Sequence, residues 1–278
     1  MLPNNPLTQY FRQPAIYIRL PSQGKFYPNG ALNMPPNGEL PVLPMTSVDE
    51  ITYRTPDALF NGSATVSVIK SCVPNIRDPW VMPSADMDAV LVGIRIASYG
   101  HDMDINVKCP SCEHLEDLTV DLRKVNDLLT VGDYSTPVII GDLEFYFQPM
   151  TFQTVNQNSQ VQMEQQQMIR AFEQSTDETE RSEQVAKIMT AINQATTKTV
   201  AASIAAIKTP TALVTENEFI TDFLKNCDSK IFNQLKNHAV ALKVASEVKP
   251  VSIICTSCQH EYTQPFTLDL SSFFDNAS

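Results

Sequence analysis

The chain is poor in histidine, glycine and tryptophan, and the shortage of histidine limits the chemistry it could catalyse. Its 278 residues include 8 glycines, 1 tryptophan and 4 histidines. The histidines are scattered, at His101, His114, His238 and His260, so their positions indicate no general base. The sequence also lacks a Gly-rich phosphate loop, a G-x-S-x-G motif and an H-E-x-x-H motif. We therefore expect a protein that is not an enzyme.

Basic residues and long apolar runs are also scarce. The chain has 20 Lys and Arg against 31 Asp and Glu, and a net charge of −11 repels phosphate backbones and anionic lipids. No run of about 18 apolar residues is present, and the N-terminal residues lack the charged start and apolar stretch of a signal peptide. We therefore expect no nucleic-acid or membrane partner, and a cytoplasmic location in which disulfides do not persist.

Four of the 6 cysteines lie in two similar segments. VKCPSCEHLE at 107–116 and IICTSCQHEY at 253–262 both read C-x-x-C-x-H and both lie between extended runs. A C-x-x-C turn between two strands directs two thiolates at one metal, and two such turns complete a closed tetrahedral zinc site. We therefore predict a structural Zn²⁺ site, here called the four-cysteine clasp, with the ligands Cys109, Cys112, Cys255 and Cys258.

Two other interpretations of these cysteines stay open. CPSC is compatible with a dithiol redox site, which normally opens a helix after a strand, and the following EHLEDLTVDL could be helical. Alternatively, the cysteines are buried and inert. His114 and His260 could each replace a cysteine as ligand or cover the turn. Cys72 and Cys227 are expected to be small core residues.

Hydrophobic periodicity and turn residues predict alternating strands and helices. Strands are expected within 15–20 and 38–46, helices at 57–73 and 84–100, and a hairpin at 138–150. Two Gln-rich helices are expected between 151 and 210, and a capping box of Thr215 and Glu218 is expected to open the next helix, before a last one at 229–247. The apolar stripe predicted for the second Gln-rich helix consists of Val185, Ile188, Met189, Ile192, Val200, Ile204 and Ile207.

Four short matches recur in the same order along the chain and predict an internal repeat. GEL…PMT matches GDL…PMT, and CPSCEH…VDL matches CTSCQH…LDL. IKSC matches LKNC, and a predicted helix follows each of these two segments. We therefore predict an α+β protein of two related halves, 1–136 and 137–278, each with short strands, helices and one cysteine turn. The second half carries a long helical insert at about 152–210, whose apolar stripes pack together or receive a partner helix.

Several of these segments resemble one known family. LPSQGKFYP, the LPMT that follows, the helix SADMDAVLVGIRIASYG and the CPSC turn appear here in that order. They resemble the T4-type bacteriophage baseplate hub and tail-assembly proteins, which share an LPS-x-G-x-x-Y-P opening and a D-x-x-L-x-x-I-R-x-x-S-Y-G-like helix before a C-P-x-C turn. The matching positions are Leu20 to Pro28, Asp88 to Gly100, Cys109 and Cys112.

The resemblance implies a non-enzymatic phage tail protein that acts in the structure or assembly of the baseplate hub. Its implied partners are baseplate hub and tape-measure proteins, and self-association is left open. The protein would work in the host cytoplasm during assembly, as a chaperone, or stay in the virion as part of the tail baseplate. A zinc-ribbon nucleic-acid-binding protein and a thiol-redox protein are the alternatives.

Overall fold

The computed structural model describes residues 5–55, 61–173, 178–247 and 250–264, without the side chains of 168–173, 178–187 and Val251. The described residues form a mixed fold of helices and short antiparallel sheets, which confirms the predicted fold class. They divide into two compact units, the first of 1–79, 85–130 and 247–278 and the second of 80–84 and 131–246. The two sequence-related halves, 1–136 and 137–278, stay a prediction.

Ten strands and eight α-helices lie in the described part of the chain. The strands are β1 (Ile16–Ile18), β2 (Leu40–Val42), β3 (Asp102–Lys108), β4 (Leu115–Asp121), β5 (Val138–Ile140), β6 (Leu143–Phe147), β7 (Ile204–Lys208), β8 (Leu213–Val214), β9 (Val251–Ile254) and β10 (Glu261–Gln264). The helices are α1 (Ser47–Tyr53), α2 (Ser63–Cys72), α3 (Ser84–Tyr99), α4 (Leu122–Leu128), α5 (Phe152–Glu173), α6 (Glu178–Ala202), α7 (Asn217–Asn226) and α8 (Ser229–Ala245). Antiparallel pairs form between β1 and β2, β3 and β4, and β9 and β10, while β5-β6-β7-β8 form one sheet.

The core of the first unit is built on α3. Leu91 and Ile94 are fully buried, as the apolar sequence of this helix predicts. Gly93 lets β1 approach closely, because a Cβ at this position would stand 2.9 Å from Cγ2 of Ile18. The glycine therefore costs some helix propensity but permits close packing of α3 against the β1–β2 ribbon.

The LPSQGKFYP segment folds onto the first turn of α3. The buried carboxylate of Asp86 accepts a hydrogen bond of 2.8 Å from the Ser22 backbone N–H and another from the Ser22 hydroxyl. Gly24 has a φ of +79°, and a Cβ there would lie 2.8 Å from Cε of Met34. Burial raises the pKa of Asp86, although the Ser22 hydrogen bonds oppose the rise. The Ser and Gly of the motif therefore have structural roles.

The second unit packs one face of its four-stranded sheet against α7 and α8. Phe145 and Phe147 of β6 share a core cluster with Ile220 of α7 and Leu235 of α8. The turn at Gly141 joins β5 to β6, which confirms the predicted hairpin. Within the described residues, α5 and α6 are the two long helices that the Gln-rich segment predicts.

Two predictions in the second unit are wrong. Ile204 and Ile207 belong to β7 and not to the stripe of α6, which ends at Ala202. The pairing of β6 with β7 shifts register at Tyr146/Phe147, and both isoleucines of β7 lie in the core. Because of this bulge, two core residues of a strand are three positions apart, which is the spacing expected of a helix. Thr215 forms no capping box either, because α7 starts after Glu216 and has no side-chain cap.

Candidate metal centre

The two cysteine turns have the same backbone geometry. In the first turn, the Cys109 N–H donates to the His114 carbonyl at 2.9 Å, and the Glu113 N–H donates to the Cys109 carbonyl at 3.0 Å. Glu113 has a φ of +59°, in the left-handed region. The second turn repeats both bonds and the positive φ, at Cys255, His260 and Gln259. The turns therefore hold their cysteines in equivalent positions.

Each turn closes an antiparallel hairpin in the same register. Lys108, directly before the first cysteine of its turn, pairs with Leu115, and Ile254 pairs in the same way with Glu261. Both cysteine turns therefore begin from an equivalent pair of strand residues.

The structure brings all four predicted cysteines together. The Sγ atoms of Cys109, Cys112, Cys255 and Cys258 all lie within 4.8 Å of one another. Cys109 to Cys258 and Cys112 to Cys255 are both 3.7 Å between sulfurs. A tetrahedral ion with metal–sulfur bonds of about 2.3 Å requires sulfurs about 3.8 Å apart. The cluster therefore could hold one metal ion with little movement of the side chains.

The crowding of four thiols favours binding of a cation. Burial opposes ionisation of Cys109, but backbone hydrogen bonds from Cys112 and Ser111 and contacts with neighbouring thiols lower its pKa to about 7. A backbone hydrogen bond from His260 lowers the pKa of Cys258, but contacts with the other cysteines outweigh it and raise this pKa to about 12. Close thiols resist ionising together, and a bound cation would remove that resistance.

A small apolar cluster supports the sulfurs. Val107 of β3, Ile253 of β9 and Tyr262 of β10 are buried together with Cys109 and Cys255. Because the two hairpins share these contacts, the ligand positions are fixed by packing as well as by the turns.

The histidines of both motifs serve the turns through their backbone. The carbonyls of His114 and His260 accept the hydrogen bonds that close the two turns. Among the described residues, the group of possible ligands contains only the four cysteines. The residues after CPSC form the strand β4 from Leu115, where a dithiol redox site normally has a helix.

A comparison with protein families places the chain. Residues 46–275 match the family model described as T4 bacteriophage base plate protein. The chain belongs to this phage baseplate protein family. Neither the curated proteins nor the solved structures gave a match. The matched range includes both cysteine turns and α5–α6. None of the described helices has both the length and the hydropathy needed to cross a bilayer.

Sequence reasoning missed the positive φ of Glu113 and Gln259. Glycine is the usual residue in this conformation, so the sequence carried no residue-type signal at either position. The common position, directly after the second cysteine in both turns, was the only available indication.

Proposed function

We propose that the chain is a non-enzymatic protein of the baseplate hub, which acts in hub structure or assembly and binds hub or tape-measure proteins. The observation that carries this proposal is the family match over residues 46–275. The LPS-x-G-x-x-Y-P segment at Leu20 to Pro28 precedes that range, and its resemblance to hub and tail-assembly proteins supports the narrower assignment.

The metal of the four-cysteine clasp is proposed to be Zn²⁺. Thiolate ligands and tetrahedral spacing suit zinc, and four protein ligands leave no open position for water or substrate. The ion would stabilise the fold and would not catalyse a reaction. Purified protein after dialysis should hold one zinc per chain, and Cys255→Ser should lose it. A wild-type protein that stays folded and stable without metal would overturn this assignment.

The partner surface is proposed to lie on the helical insert. Met163 of α5 and Met189 and Ile192 of α6 are exposed. Met163 lies 173 − 163 = 10 residues before the end of α5 at Glu173, and Met189 lies 189 − 178 = 11 residues after the start of α6 at Glu178, so the two are level in an antiparallel pair of helices. Exposed methionine side chains adapt to the shape of a partner, so this surface suits an amphipathic helix.

This surface is tested by replacing Met163, Met189 and Ile192 with serine and measuring capture of tape-measure and hub proteins by the tagged chain. The expected result is loss of capture with unchanged helix content. Ile139→Ser with Leu213→Ser is a matched control, since both residues are exposed on the sheet of the same unit. Equal capture by the triple variant and the control would contradict the helical surface but not the family assignment.

Mass spectrometry of purified virions and of infected-cell lysate separates the two proposed places of action. A small, fixed copy number in virions would identify a component of the tail baseplate. An abundant chain in lysate that is absent from virions would identify an assembly chaperone of the host cytoplasm.

A further inference from the structure

The outward face of α8 is basic and apolar, although the chain as a whole has a net charge of −11. The sequence of α8, SKIFNQLKNHAVALKVA, contains three lysines and no acidic residue. With about 3.6 residues per turn, Lys236, Val240 and Lys243 fall on one side of the helix, and Val244 lies next to them. This set of four residues is called the α8 face.

The two valines of the α8 face are open to solvent. Val240 is 54% exposed and Val244 is 58% exposed. Leu235 and Leu242, on the other side of α8, already anchor the helix in the core of the second unit. The valines therefore add little to folding of the unit, and valine is a poor helix former. An apolar centre flanked by lysines is the composition of a contact surface for an acidic partner.

An acidic surface of the right kind exists on the same chain. The outer face of the β3–β4 hairpin carries Asp102 opposite Asp121, and Asp104 lies diagonally to Asp117. Like charges in such positions destabilise a sheet. His101 is 3.5 Å from Asp102, and Arg123 is 2.8 Å from Asp121. In the described part of the chain, no salt bridge reaches the other two carboxylates of this β3–β4 face.

We propose that two copies of the chain bind each other, with the α8 face of one copy on the β3–β4 face of the other. The lysines of α8 would approach Asp104 and Asp117, neither of which has a salt bridge within the described residues, although Asp104 accepts a hydrogen bond of 2.6 Å from the Thr119 hydroxyl. Because two different surfaces meet, the bound pair keeps one free α8 face and one free β3–β4 face, and association continues into a ring or a filament. The contact weakens as salt rises, because exposed charges are screened over about 10 Å at 0.1 M ionic strength.

Analytical ultracentrifugation of the full-length protein tests this proposal at 50 mM and 500 mM NaCl. The wild type is expected to associate with rising concentration at low salt and to be monomeric at high salt. Lys236→Glu with Lys243→Glu is expected to weaken association at least about tenfold, and so is Asp104→Lys with Asp117→Lys. Lys25→Glu with Lys70→Glu is the matched control, since both lysines are exposed elsewhere and the change in net charge is the same.

An equimolar mixture of the two interface variants provides the decisive sample. Neither variant is expected to associate with itself. In the mixture, the wild-type α8 face of one variant meets the wild-type β3–β4 face of the other, and the two reversed faces also match, so the mixture should associate as the wild type does. A chain with all four substitutions should associate again, because both charges are reversed. A wild type that stays monomeric at 50 mM NaCl and about 100 µM protein, or a mixture of folded variants that does not associate, would overturn the proposal.

Discussion

Loss of one ligand from the four-cysteine clasp should strongly destabilise the zinc-loaded protein. Cys109 and Cys255 are 255 − 109 = 146 positions apart, so a metal held by both turns closes a long loop in the chain. Chain-entropy arguments for a closed loop of that length give a stabilisation of about 5 kcal/mol. We expect Cys255→Ser to lose up to about 5 kcal/mol of unfolding free energy. Residual metal binding to the unfolded wild type would reduce the difference.

Urea unfolding followed by circular dichroism, with and without zinc, measures this effect. Zinc should shift the midpoint of the wild type and leave that of Cys255→Ser unchanged. Cys227→Ser removes a half-buried thiol outside the clasp and should stay within about 1 kcal/mol of the wild type. Equal midpoints for wild type and Cys255→Ser in the presence of zinc would refute the loop-closing role, even if the metal binds.

Three further perturbations test the local structure. Glu113→Gly and Gln259→Gly should each stabilise the protein by about 1 kcal/mol in urea unfolding, because glycine adopts the positive φ of these turns without strain, and an alanine in either place should not. Ser22→Ala should lower the unfolding free energy by about 1–3 kcal/mol, because it removes a hydroxyl donor from the buried carboxylate of Asp86; an unchanged midpoint would contradict this. Burial opposes ionisation of Asp49, but hydrogen bonds from threonine and serine donors and a nearby arginine lower its pKa. The contribution of Asp49 to the free energy of unfolding is therefore present above about pH 4, and it is lost as pH falls through the lower pKa of the folded state. Asp49→Asn should therefore reduce the loss of stability at acid pH.

The sequence predicted those parts of the fold whose signals are local. Cysteine spacing placed the clasp, because a C-x-x-C turn determines where two sulfurs point regardless of the rest of the chain. The helix α3, from its apolar residues, and the turn at Gly141 were also predicted from local sequence. The strand β7 was not, because its isoleucines recur with a helical spacing that only the bulge opposite Tyr146 explains. The partner strand β6 decides that assignment, and it lies some 60 positions earlier.

Contacts between distant segments were also beyond sequence reasoning. The carboxylate of Asp86 binds Ser22, and nothing in the spacing of these two residues along the chain indicates the contact. The resemblance of LPSQGKFYP to hub proteins marked Ser22 as part of a motif but gave it no role. Its hydrogen bonds supply a structural one, so a substitution at Ser22 should be read first as a change in stability.

The repeat stays a prediction, but two pairs of its matched segments share local backbone geometry. Gly38 and Gly141 both have positive φ and precede an acidic residue and a strand, β2 in one case and β6 in the other. The Thr46 hydroxyl accepts a hydrogen bond from the Asp49 N–H at the start of α1. The Thr151 hydroxyl accepts in the same way from the Thr154 N–H at the start of α5. These are the threonines of the two PMT segments.

The predicted repeat would explain why the proposed metal site needs both cysteine turns. Each cysteine turn supplies two thiolates, so either turn alone leaves a metal with half of its ligands. Two copies of a two-thiolate turn complete one closed site only when they meet, as the sulfur distance of 3.7 Å from Cys109 to Cys258 shows that they do. In the predicted repeat, α5 and α6 would be an insertion that lengthens the chain between the two cysteine turns. Because loop-closure entropy grows only slowly with loop length, such an insertion is tolerated at little thermodynamic cost.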